Sequence, residues 1–521
     1  MDTFLPLLAQ DGGESVRLSA DLMQNLWAAL PEMFLCVALV GLLIVDLVRG
    51  KGPSGLYPAM SLWAIVTAAA LVLLGPDESL SVGYAGVGAM QVDGLGKLFK
   101  LLFLGTAALS VLFIHRSGQR YGRESEFNVI VLGALAGMCY LASATELIGF
   151  YVAFEMVSYT GYLMAGYRLE STKGAEASGK YVIFGSVSSA VMLFGITLLL
   201  GYSGCPRFAD LAVALTTVET AQPALWVGAV LTFCGFAFKA AAFPFQFWCP
   251  DVYEGAPAPV AGFLAVASKA AAFAVGLRAL AYVPALGGVG TTPEISELFA
   301  ADTAFLEKVL IVGAVGTMTW GNLAALRQSN LQRMLAYSSI AHAGYLLMTA
   351  VMVLRADVAT EALTAIGFYF VIYLCMNLGA FWIVALMRRD LDSTDVTALR
   401  GLGWKQPVLG TCFVIMLVSL TGLPPTAGFV GKLQLFAPVV EQGFWVFAAI
   451  GLVNGAVSLY YYAKPMREMF LKQPDESTRP LNLGGMDLAL VVALTVPLVV
   501  LGLFGWDTVT EAARGAVALA R

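Results

Sequence analysis

Apolar runs of about 20 residues recur along the whole of this 521-residue chain, and they fix its solvent before anything else. A run of that length crosses the hydrocarbon core of a bilayer as a helix. About 14 such runs can be counted, from one centred near Val37 to one centred near Val496. Within lipid, backbone polar groups must bond inside their own segment, so the chain reads as an all-α integral membrane protein. Composition agrees: 59% of residues are hydrophobic and only 12% charged, where soluble domains carry about a quarter. By length alone the chain would hold roughly three or four soluble domains, yet the hydropathy reads as one continuous bundle.

The connections between runs are short and rich in Gly, Pro and charge, as in Arg49–Ser54, Arg116–Glu126, Arg168–Glu176 and Lys464–Pro480. The longest polar connection is acidic, Gly287–Asp302. If the first helix starts outside, the inner connections collect roughly 17 basic residues against about 5 outside. An even helix count then puts both termini on the outer, periplasmic side. One inner connection, Pro250–Pro257, breaks the pattern with two acids and no base.

Several function classes are excluded early. A net charge of −5 and the lack of a basic patch give no footing for nucleic acid. Seven scattered cysteines without CxxC spacing make neither a zinc site nor an iron–sulfur ligand set. No nucleotide or flavin fingerprint is present, so the chain is expected to hold no cofactor of its own. Met1–Asp21 is acidic and lacks both signal-peptide and transit-peptide character, which favours a bacterial plasma (inner) membrane over an organelle.

Charges inside the apolar runs therefore carry the argument, because each costs about 2.5–3.5 kcal/mol at the bilayer centre on insertion scales. Glu155, Lys239, Lys269 and Lys432 lie too deep for a lysine stem of about 6 Å, or a shorter Glu, to reach the interface. Lys180 lies near the start of its helix, where snorkelling is a competing explanation. Glu155 could be no more than a structural partner for a lysine. The functional alternative is a line of protonatable groups, as proton relays use. Of the two histidines, His115 sits at a helix end beside Arg116 and reads as interfacial, whereas His342 is placed to act as a relay or to pack.

Two runs are interrupted by proline, at Phe243-Pro244-Phe245 and at Gly422-Leu423-Pro424-Pro425. Proline removes a donor and clashes with the preceding turn, so both helices should break there. Lys239 lies shortly before the first break and Lys432 shortly after the second. Five spans separate the breaks, and an odd interval reverses the direction of the second unit. Paired interrupted helices in inverted repeats point to a transport pathway.

At these breaks the sequence resembles a known family. Lys239–Val260 (KAAAFPFQFWCPDVYEGAPAPV), Gly321–Tyr345 (GNLAALRQSNLQRMLAYSSIAHAGY) and Gly422–Lys432 (GLPPTAGFVGK) look like the antiporter-like membrane subunits of respiratory complex I, most like the subunit N branch of bacterial NADH:quinone oxidoreductases. The resemblance spans about Asn128 to Met469. It implies about 14 transmembrane helices, with two inverted five-helix repeats that each contain a broken helix. The units would be helices 1–3 (1–126), a first repeat (127–282), a second repeat (303–470) and a last helix (481–521). It implies a proton path with Glu155 and Lys239 as the central pair, Lys269 and His342 as the connection, and Lys432 on the exit side. Lys180 matches a further family lysine. Gln246 stands where many relatives have histidine, so no proton can be loaded there. The acids of Asp251–Gly255 would form an acidic mouth at the inner surface. Partners implied are other membrane-arm subunits, including neighbouring antiporter-like ones, with FMN, iron–sulfur clusters and quinone held by other subunits.

Three readings follow. The leading one is a proton-translocating subunit of a redox-driven complex, itself without a redox centre. The second is a subunit of a cation/proton antiporter or membrane-bound hydrogenase of the same fold. The third is a free-standing solute transporter, which would need a pocket of varied polar groups. A purely structural scaffold leaves the buried charges unexplained.

Overall fold

The computed structural model describes residues 25–49, 55–76, 80–84, 87–117, 124–168, 171–211, 223–282, 293–474 and 479–518. The expectation about Met1–Asp21 lies outside these residues, as does the start of the acidic connection Gly287–Asp302. The remainder of that connection is helical from Pro293 onward.

The chain runs through α1 (Leu30–Arg49), α2 (Leu56–Leu74), a hairpin β1 (Leu80–Tyr84) and β2 (Val87–Val92), then α3 (Gly94–Arg116), α4 (Glu124–Ser143), α5 (Leu147–Ala165) and α6 (Thr172–Ser203). It continues with α7 (Pro223–Ala240), the short α8 (Trp248–Gly255), α9 (Ala258–Ala281), α10 (Pro293–Ala325), α11 (Leu331–Ala350) and α12 (Ala359–Leu391). The last elements are α13 (Pro407–Thr421), α14 (Ala427–Glu441), α15 (Trp445–Met466), α16 (Gly485–Leu503) and α17 (Trp506–Ala518). Among the described residues, this antiparallel hairpin and three isolated β-bridges depart from an all-helical reading. Among the described residues, 12 helices are long and apolar enough to cross a membrane. The other two of the expected runs appear as the shorter apolar helices 224–240 and Pro407–Thr421, cut by the prolines.

Helix starts carry the expected chemistry. Asp93 Oδ1 accepts from Gly96 N at 2.7 Å at the head of α3, and Asn330 Oδ1 accepts from Arg333 N at 3.1 Å at the head of α11. Within the spans, Ser and Thr hydroxyls bond to their own preceding turn, as Thr106 does to Leu102 O at 2.7 Å and Thr364 to Thr360 O at 2.7 Å. Each of these hydroxyls is thereby satisfied within its own helix.

Glycine sets one close crossing. A Cβ on Gly321 would stand 2.6 Å from Ala341 N, and one on Gly344 would stand 2.5 Å from Met318 N. Only glycine lets α10 and α11 touch backbone to backbone, two residues from His342.

Both expected breaks are present. α7 ends at Ala240 and the chain passes through Ala241 at φ 55° and a cis Phe243–Pro244 bond before α8. α13 ends at Thr421 and the chain turns through Gly422 at φ 85° and a cis Pro424–Pro425 bond into α14. A third irregularity, a single π-helical stretch at Leu264–Ser268, sits inside α9 directly before Lys269.

Candidate functional site

Each break frees helix-end carbonyls, and the nearby side chains take them up. At the first break Trp248 Nε1 donates to Phe238 O at 2.9 Å, and Phe243 N donates to Thr317 Oγ1 at 2.8 Å. At the second, Lys432 Nζ donates to Thr421 O at 2.7 Å. The lysine is thus placed by the end of the very helix that the prolines interrupt. Its ammonium also stands 4.9 Å from the Tyr345 ring centroid.

Lys239, on the last turn of α7, is buried, with Nζ 3.1 Å from Ser158 Oγ and 5.6 Å from the Phe154 ring centroid. Glu155 lies on the same helix as both contacts, and Ser189 of α6 donates to its Oε1. Lys239 feels the Glu155 charge, but the two do not form a direct ion pair among the described residues; Ser158 stands in contact with the lysine instead. Lys269 is buried and its Nζ donates to both Ser339 O and Ser339 Oγ at 2.9 Å. His342, three residues along α11, is buried between two tyrosines, with Nδ1 2.6 Å from Tyr369 Oη and Nε2 3.2 Å from Tyr462 Oη. Tyr462 in turn shares a hydrogen bond with Ser338.

Lys180 stands apart from this buried row. It is partly exposed at the face expected to be inner, 2.6 Å from Asp251 and 2.8 Å from Glu176. Arg333, at the head of α11, reaches Asp251 at 2.7 Å and Glu254 at 2.8 Å, and Lys173 reaches Glu254 at 3.0 Å. These six side chains line a cavity of about 110 Å³. The acidic mouth expected from α8 is therefore charge-balanced, because its bases come from α6 and α11 rather than from its own connection. Burial alone would raise the Asp251 and Glu254 carboxyls; the Lys180, Lys173 and Arg333 hydrogen bonds outweigh it and hold both below the usual carboxylate range. Behind them, buried Gln332 donates to Tyr253 O at 2.6 Å and Ala256 O at 3.0 Å and accepts from Arg388 at 3.2 Å. Tyr181 stacks on Trp248 at 4.4 Å, fixing α8 to α6.

Gln246 is fully buried, and neither end of its amide bonds to another protein group. His115 is exposed, 3.7 Å from Glu124, as an interfacial histidine should be.

Two buried ion pairs escaped the sequence reading. Lys100 meets Glu32 at 2.6 Å, and Arg278 meets Asp93 at 2.6 Å while also donating to Ala142 O. The first joins α1 to α3 and the second joins α9 to the head of α3. Lys100 and Glu32 stand within apolar runs, so the signal that found Lys239 was available for them.

The family described as NADH:quinone oxidoreductase/Mrp antiporter, TM matches residues 144–458. Subunit N 2 of the NADH-quinone oxidoreductase of Chloroherpeton thalassium is 37% identical over 94% of each chain. Subunit N of Anaeromyxobacter sp. is 37% identical over 94% of this chain and 96% of its own. A chain of respiratory complex I from Thermus thermophilus superposes with a TM-score of 0.76 at 32% identity, covering 93% of this chain and all of that one. A chain of the Mrp complex from Dietzia sp. shares the fold, with a TM-score of 0.79 at 21% identity over 94% and 97% of the two chains. This multi-pass membrane chain belongs to the NADH:quinone oxidoreductase/Mrp antiporter transmembrane family and stands with the bacterial subunit N sequences within it.

Proposed function

We propose that this chain is a proton-translocating membrane subunit of a bacterial NADH:quinone oxidoreductase. Quinone reduction in other subunits would drive protons through its buried Glu, Lys and His residues. The observation that carries the reading is the state of three buried lysines that, unlike Lys100, have no ion-pair partner among the described residues. Among the described residues, Lys239, Lys269 and Lys432 bond only to serine hydroxyls and backbone carbonyls, so no carboxylate is in direct contact with any of them. A lysine held this way in a low-dielectric interior loses its proton as an ammonium or regains it as an amine when a neighbouring charge changes.

In this reading Glu155 and Lys239 form the central pair, Lys269 and His342 make the connection, and Lys432 delivers to the exit side. Lys180 belongs to the ion-paired cleft, where protons are taken up. The first repeat covers 127–282 and the second 303–470, preceded by helices 1–3 (1–126) and followed by the last helix (481–521). Both termini face the periplasm across the inner membrane. Neighbouring antiporter-like subunits flank the chain, and FMN, iron–sulfur clusters and quinone reside in partner subunits. The resemblance in sequence and the Lys/Arg distribution support these assignments.

The test replaces the chromosomal gene by wild type or Lys239→Ala and follows NADH-driven quinone reduction and internal acidification in inverted vesicles. Loss of both with the complex still assembled is the expected result. Wild-type values in the variant would overturn the central-pair assignment, and wild-type values in a full deletion would overturn the respiratory one.

A further inference from the structure

His342 is the one group in the buried row whose every polar atom is held by another ionisable side chain. Tyr369 comes from α12 and Tyr462 from α15, so two separate helices converge on one imidazole. Tyr369 and Tyr462 are 0% exposed and His342 2% exposed, so bulk water cannot supply these contacts. The hydrogen-bonded order is Ser338, Tyr462, His342, Tyr369. Its first member adjoins Ser339, which holds Lys269. At its far end the Tyr369 ring packs on Gly431, the residue before Lys432. His342 lies close enough to feel the charges of both Lys269 and Lys432.

We propose that Tyr462 and Tyr369 are proton-conducting residues, the two hydroxyls that carry a proton into and out of the His342 imidazole between Lys269 and Lys432. The inference rests on the relay proposed above and adds the path through it. In one passage Tyr462 Oη gives its proton to Nε2 and receives another from the Ser338 side. The Nδ1–H bond breaks toward Tyr369 Oη, whose own proton moves on toward Lys432. One N–H bond forms and one breaks, so the ring ends with its charge unchanged. The ring and hydroxyls must turn back before the next proton. An amphoteric imidazole with a hydroxyl at each nitrogen suits such a transfer, because both nitrogens are already in hydrogen-bond contact. A purely structural role would require only that the buried hydroxyls find acceptors.

The two roles separate in the intact complex carrying Tyr369→Phe or Tyr462→Phe, variants that keep the ring and remove only the hydroxyl. Co-purification reports assembly, and NADH oxidation by an artificial electron acceptor that bypasses quinone reports the electron-input arm. Both should be unchanged. Coupled NADH:quinone turnover should fall about tenfold or more, within the range that a lost proton-transfer group costs. Its H2O/D2O rate ratio should rise above that of wild type, a change that loosened packing does not produce. Turnover within about twofold of wild type at an unchanged ratio, or failure of both variants to assemble, would assign the hydroxyls to packing and overturn the proposal. His342→Ala separates the two levels. If it retains wild-type turnover, the relay itself falls; if it is inactive while both Phe variants are normal, only the tyrosine path falls.

Discussion

Lys432 Nζ and Thr421 O lie 2.7 Å apart across the gap between α13 and α14, so a buried lysine amine closes the helix that two prolines opened. The lysine satisfies an orphan carbonyl and occupies the proposed path with the same atom.

Two effects should therefore appear in Lys432→Met. The unsatisfied carbonyl costs ~1–3 kcal/mol locally, and amide exchange around 422–426 should speed up about tenfold or more, read by hydrogen–deuterium exchange. Coupled turnover should fall about tenfold or more as well. Normal exchange with lost turnover would separate the structural part from the conducting one.

Ser158, three residues beyond Glu155 on α5, contacts Lys239 without carrying a charge itself. Ser158→Ala should keep the complex assembled and reduce coupled proton pumping several-fold, less than Lys239→Ala does, because a water can replace a hydroxyl and not an ammonium. Pumping in vesicles, measured for both variants at equal complex content, gives the ranking. Equal losses would place Ser158 on the path rather than beside it.

The ion-paired cleft should loosen when it loses one of its charges. Cys249 sits buried on α8 beside Asp251, so Asp251→Asn or Arg333→Gln should raise its labelling by a thiol reagent, read site by site by mass spectrometry. The pH sign follows from the lowered carboxyls. Their contribution is complete above the ordinary carboxylate pKa and is lost as pH falls through the lowered values. Thermal stability of wild type and of the Asp251→Asn/Glu254→Gln double variant should therefore converge in acid and separate toward neutrality.

Asp93 and Arg278 form a bidentate buried pair at 2.6 and 2.8 Å. Asp93→Ala strands the guanidinium and should destabilise by ~3–5 kcal/mol, whereas replacing both by apolar residues of similar volume should cost far less. Yield and melting temperature of the detergent-solubilised complex compare the two.

The sequence carried the spans, the two breaks and the buried lysines clearly, because a charge or a proline inside an apolar run violates a strong local rule. It carried the company of those residues poorly. Ser339 as the acceptor of Lys269, and Tyr369 and Tyr462 around His342, come from other helices, and no spacing along the chain encodes which helices meet. The same limit explains α8, whose acids looked bare because their bases, Lys180 and Arg333, are 71 and 82 residues away. Glu32 and Lys100 were legible by the rule that found Lys239 and were overlooked near helix starts, where charge is ordinarily unremarkable.

Gln332 holds two carbonyls at the end of α8 with its amide nitrogen and the Arg388 guanidinium of α12 with its amide oxygen. A single buried amide on α11 is thus a tie rod between α8, which follows the first break, and α12, the helix bearing Tyr369. With both ends taken it has no free rotamer to absorb strain. A shift of α8 would therefore break these bonds unless α12 moved with it.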